Sequence, residues 1–156
     1  MTRKTQSQGV ITVVLLGSLL GLCAGTGLFT FGYAQGAAYL TNDPAACVNC
    51  HVMREQYDGW IKGSHRKAAV CNDCHAPHSF VPKYYTKALN GFFHSLAFTT
   101  QQFPDHIQIT ERNARITRES CRHCHSEIVS GIDAAHPGQT AKTDCVRCHR
   151  DVGHLH

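Results

Sequence analysis

The chain has 156 residues, a formal charge of +4, nine cysteines and twelve histidines. That length holds one small domain plus whatever precedes it. The mild basicity is no argument for nucleic acid, since no basic stretch is interleaved with stacking aromatics, and there is neither a glycine-rich phosphate loop nor a Ser/His/Asp pattern.

In chain order, the first predicted element is apolar. Residues 10–34 carry no charged side chain, and about 20 apolar residues suffice to cross the hydrocarbon core of a bilayer. Arg3 and Lys4 precede the run, which by the positive-inside rule puts residues 1–8 in the cytoplasm, a transmembrane anchor over 9–36, and the remaining 37–156 outside. A cleaved signal peptide ending at Ala34-Gln35-Gly36 is the alternative, but the apolar run exceeds a signal h-region. Gly17, Gly21 and Gly25, spaced by four, are small enough to admit a second helix, and Cys23 reads as a small apolar filler.

The next element is Cys47-Val48-Asn49-Cys50-His51, followed two residues later by Met53. Cys-x-x-Cys-His is the attachment signature of c-type haem: the cysteines bond the porphyrin edge and the histidine faces the iron. The pentad recurs at Cys71–His75, at 121–125 (Cys121, Cys124, His125) and at 145–149 (Cys145, Cys148, His149), using eight of the nine cysteines. Cys47 to Cys71 and Cys121 to Cys145 are both 24 residues, and the two pairs are offset by 74. That regularity predicts two di-haem repeats, about 44–78 and about 119–156, joined by a helical connector over 79–118. A four-cysteine zinc site accepts similar spacing but gives no reason for a histidine after every pair, and a disulfide framework gives none either. Four haems in so short a domain must form much of its core, so the fold class is mainly α with little regular structure. The haem propionates also shift the holoprotein's charge away from +4.

Between the motifs, residues 54–65 predict a short helix ending near Gly63. Residues 79–103 predict a second, aromatic-rich helix interrupted by Gly91, with Lys83 and Lys87 as its only charges. Such a helix either rests on a membrane surface with its lysines at the headgroups or covers haem. A third helix over 110–130 carries Arg112, Arg115, Arg118 and Arg122 along one face, for solvation, propionate neutralisation or an acidic partner. Four electron-transfer haems need four axial ligands beyond the motif histidines. The pool is His65, His78, His94, His136 and His154, of which His78 reads as a surface or propionate contact and His136 as a reserve. His123 cannot easily reach its own iron, and His106 and His156 read as solvent-facing. Either Met53 or His51 is positioned to serve the first iron.

One apolar N-terminal segment, four Cys-x-x-Cys-His motifs in two pairs, Met53 in Cys-x-x-Cys-His-x-Met, and "CNDCHAPH" over 71–78 together resemble the NapC/NirT family of membrane-anchored tetrahaem quinol dehydrogenases. Within it they most resemble members that serve as the small subunit of cytochrome c nitrite reductase. The resemblance implies that Met53 binds the first iron with His51 displaced. It implies His75 and His154 on the second iron, His125 and His65 on the third, and His149 on the fourth, completed by a lysine from the catalytic subunit. It places Lys87 beside the quinol. Where a family member carries an aspartate over the first haem, this chain carries His94, as a proton acceptor or a ligand.

The function so implied is oxidation of menaquinol at the bacterial inner membrane by a single-pass protein with a periplasmic haem domain. Electrons then go to the catalytic multihaem subunit of a nitrite reductase, where nitrite itself is reduced. Another periplasmic reductase is the alternative partner, and a membrane-tethered relay that binds no quinol is the alternative class.

Overall fold

A computed structural model describes residues 2–135, 138 and 144–154, with side chains from residue 6. It separates into two units, residues 1–37 and 38–156.

The first unit is one helix, α1 (Thr2–Tyr33). Its stretch Gln6–Tyr33 is apolar, and none of its most apolar window is buried. At 1.5 Å per residue those 28 residues reach about 42 Å, more than the hydrocarbon core requires. A helix apolar and exposed on every side has no use for a watery face, and lipid satisfies it. Gly17, Gly21 and Gly25 have open space where a Cβ would stand.

The second unit is helical, with no strand among the described residues. A 3-10 turn over Pro44–Asn49 carries the first cysteine and is capped by Asp43, whose Oδ1 accepts from Ala45 N at 2.9 Å. A second 3-10 turn, His51–Met53, runs into α2 (Arg54–Lys62), which ends at Gly63 as expected. The second motif is itself the short helix α3 (Cys71–His75). In a helical turn the two cysteines and the histidine of the pentad fall at i, i+3 and i+4, so all three share one face. α4 (Phe80–Thr100) follows and is continuous through Gly91. The interruption expected there does not occur: a single glycine weakens a helix by only about 1 kcal/mol, and Gly91 packs beside the Tyr39 ring, where a Cβ would stand in ordinary contact at 3.4 Å.

The helix expected over 110–130 is divided at His125 into α5 (Glu111–Cys124), capped by Thr110, and α6 (Ser126–Ala135). The break lets His125 leave the helical path at the end of its motif. The last motif forms α7 (Cys145–Cys148), capped by Asp144. α3 packs against α5, and α5 against α6 and α7. Among the described residues the buried apolar side chains are Ala76 and Ile116 alone. The polypeptide therefore packs almost no hydrocarbon against itself.

The arginine face of α5 is spent inside the domain. Arg118 pairs with Glu111 and, at 4.0 Å, with Asp144; Arg122 meets Asp133 at 2.8 Å; Arg115 meets Glu119 at 3.9 Å. Arg112 donates to Asn90 on α4.

Candidate haem and quinol sites

The four motifs follow one another in space in chain order. The Cys47 and Cys71 side chains are hydrogen-bonded to each other. Cys74 lies within electrostatic reach of Cys121 and Cys124, and Cys121 of Cys145. As a free thiol Cys47 is drawn down to about 7, first by the Cys71 hydrogen bond and then by the Lys87 charge, while the same bond pushes Cys71 up.

Two histidine pairs stand across the domain. His75, at the end of α3, faces His154 with ring centres 6.0 Å apart and planes at 32°. His125, after α5, faces His65, in the loop beyond α2, also at 6.0 Å and with planes at 76°. One metal held by two imidazoles, with metal–nitrogen bonds of about 2 Å and about 1 Å from nitrogen to ring centre, separates the centres by about 6 Å. Both pairs fit one iron each. The partners cross, since each half of the duplicated sequence supplies a histidine opposite the other half's motif.

The outward nitrogens are accounted for. His65 Nδ1 lies 3.1 Å from Val152 O, and His154 Nδ1 lies 2.7 Å from Gln56 O. A carbonyl only accepts, so each Nδ1 carries the proton and each Nε2 keeps its lone pair for a metal. Burial, then the neighbouring His154, hold the His75 pKa down to about 4; the neutral ring is the form that ligates.

At the first motif, Met53 is half-buried and His51 exposed. Lys87 is buried at 6 % exposure, which corrects its placement at the headgroups. Its Nζ donates to Thr41 O at 2.6 Å and Asn42 Oδ1 at 3.1 Å, and lies 5.6 Å from the centre of the Tyr84 ring. Asn72 Nδ2 donates to the same Thr41 carbonyl at 3.2 Å, tying the second motif to this corner. Desolvation draws the Lys87 pKa down, with Lys83 adding to it. His94, two turns further along α4, keeps its side chain at the surface. Desolvation and then Arg112 draw its pKa below the ordinary value, so it is a weaker base than an unperturbed imidazole.

His149 closes α7 and is exposed, as is His106. His136 and His156 lie outside the described residues. His78 and His123, both exposed, stack on each other with centres 4.1 Å apart. Sequence reasoning missed that contact. It also missed Thr41, Asn42 and the Gln56 and Val152 carbonyls. A backbone carbonyl has no sequence signature, and Thr41-Asn42 reads as an ordinary turn.

Thioether motifs on helical turns, histidine pairs at metal-bridging distance and one apolar helix define a membrane-anchored, single-pass cytochrome c that binds haem c. The description "NapC/NirT cytochrome c family, N-terminal region" matches residues 6–156, and the chain belongs to that family. It is 36% identical over 148 residues to the cytochrome c-type protein NrfH of Wolinella succinogenes, covering 88% of this chain and 84% of that one. It is 30% identical over 145 residues to the cytochrome c nitrite reductase subunit NrfH of Nitratidesulfovibrio vulgaris, covering 93% and 84%. A crystal structure of the cytochrome c nitrite reductase NrfHA complex bound to the HQNO inhibitor contains a chain of the same fold. The TM-score is 0.63 at 29% identity, with 92% of this chain and 90% of that chain covered.

Proposed function

We propose that this protein oxidises menaquinol at the bacterial inner membrane and passes the electrons to the catalytic subunit of a cytochrome c nitrite reductase on the periplasmic side. The kinship with a cytochrome c nitrite reductase subunit and with a chain of a cytochrome c nitrite reductase complex supports the partner. The observation that carries the quinol half is Lys87, a buried ammonium held beside the first motif.

Four haem c groups would be held by the eight motif cysteines. Met53 would serve the first iron, with His51 displaced; His75 with His154 the second, His125 with His65 the third, and His149 the fourth. The exposure of His149 suits a site completed by a residue of the partner. When bound, haem c supplies one-electron oxidation and reduction. The chain's own residues do the rest. An ammonium has three donors; Thr41 and Asn42 take two and aim the third, which would hold a quinol oxygen. The Tyr84 ring, 5.6 Å from the ammonium, would shield that bond from water. His94 would take a proton released on oxidation, being neutral and uncharged at the pH of the medium.

The test is reduction of the purified, haem-loaded protein by a menaquinol analogue with no other protein present. We expect rapid reduction, and at least a tenfold loss in Lys87→Leu while dithionite still reduces every haem. A wild-type protein that stays oxidised under the quinol analogue would instead be a tethered relay.

A further inference from the structure

The two histidine pairs are tied to each other as well as to their own motifs. His65 Nδ1 donates to the carbonyl of Val152, two residues before His154. His154 Nδ1 donates to the carbonyl of Gln56, on the helix that leads to His65. Ser64 Oγ stands 3.1 Å from His65 Nδ1 and donates to the Val152 carbonyl at 3.4 Å. Gly63 completes the seam: a Cβ there would meet Gly153 O at 3.1 Å, Trp60 O at 3.2 Å and Gly59 O at 3.4 Å.

We propose that segments 56–65 and 152–154 form a reciprocal clasp that makes the two central iron sites one interlocked unit. Each distal histidine is aimed by a carbonyl in the segment that carries, or leads to, the other. Releasing His154 from Gln56 frees the stretch holding Val152, and with it the proton acceptor that orients His65. Orientation of a ligating imidazole by the partner of its second nitrogen sets both its plane and its basicity. Gly63, Ser64 and the Val152 and Gln56 carbonyls are thus positioning groups for two irons at once. This inference rests on the ligand pairs given under the proposed function.

The pairs are distinguishable by electron paramagnetic resonance of the oxidised, haem-loaded protein. Planes at 32° split the iron d orbitals more than planes at 76° do, so the two low-spin signals differ in shape. The decisive variant is His154→Gly, measured with and without added imidazole. We expect loss of the His75 signal and a shift of the His125–His65 signal. Imidazole should restore the first and leave the second shifted, since it refills the iron position and can donate its own N–H to Gln56 O, yet has no covalent tie through residue 154 to the stretch that holds Val152. An unshifted His125–His65 signal overturns the clasp and leaves the ligand pairs standing; so does recovery of both signals with imidazole. Two unchanged signals overturn the ligand pair itself, and the clasp with it. If His154→Gly does not assemble, Gly63→Ala decides, with Gly153→Ala as its control, because a Cβ at Gly153 meets nothing within 4 Å. The clasp predicts that Gly63→Ala shifts both signals and Gly153→Ala neither. A shift confined to the His65 site, or no shift, overturns it.

Discussion

At the scale of residues, the proposed chemistry divides between a buried cation and an exposed base on one helix. Lys87 faces the turn at Thr41 and Asn42, while His94 stands where Arg112 acts on it. The sign of the His94 shift sets a pH prediction. Its ordinary pKa is ~6.5, and desolvation and Arg112 lower it. It is therefore neutral and able to accept a proton throughout the neutral range, and loses that ability only as pH falls through its lowered pKa. Quinol-driven reduction should be flat around pH 7 and decline in acid. His94→Leu should lower the plateau severalfold and remove the acid limb attributable to this group. An unchanged pH profile in that variant assigns the proton to another acceptor.

At the scale of elements, α4 has two unlike sides. Thr86 and Lys87 are buried. Val81, Tyr85, Phe92 and Leu96 follow at intervals of four, seven and four, which places them on one face, and they are 73%, 65%, 63% and 45% exposed. Four large apolar side chains on one exposed helix face suit an interfacial position in lipid. A cysteine at 81 or 92 bearing an environment-sensitive fluorophore, in a variant lacking Cys23, should emit at shorter wavelength in lipid nanodiscs than in detergent-free amphipol. Equal emission at 81, 92 and the polar-side position 83 would assign this face to protein instead. Much of the element scale was legible in the sequence. The end of α2 at Gly63 and the aromatic helix over 79–103 follow from punctuation and composition alone. The continuity of α4 through Gly91 did not, because the cost of one glycine, about 1 kcal/mol, is outweighed by the packing of the flanking turns, including Tyr39 from 52 positions earlier, and no local pattern reports such a neighbour.

At the scale of the whole molecule, the described residues of the haem domain form no apolar core of their own. With Ala76 and Ile116 as the buried apolar residues among those described, burial falls far short of the ordering entropy, about 1–2 kcal/mol per residue for the backbone alone. The chain with its motif cysteines replaced by alanine should therefore be largely unfolded beyond residue 37. Far-ultraviolet circular dichroism should show helix content near that of α1, and limited proteolysis should remove the rest. Wild-type protein should retain four covalent haems per chain in acid–acetone, counted as pyridine haemochrome. A folded, protease-resistant apo-domain would mean that the polypeptide carries more of the core than its burial indicates.

The sequence by itself determined the cofactor class, the number of attachment motifs, the anchor and the family. Each of these is written in covalent chemistry or in local composition: a thioether needs a cysteine at a given spacing, and a membrane helix needs an apolar run. Only the tertiary structure brought His154 within reach of Gln56 and His65 within reach of Val152, across 98 and 87 residues of chain. Only it buried Lys87 against a turn 46 residues away and stacked His78 on His123. The physical reason is common to all of these. Orientation of a side chain depends on a backbone carbonyl or a ring brought there by packing, and those groups leave no mark at the position they act on.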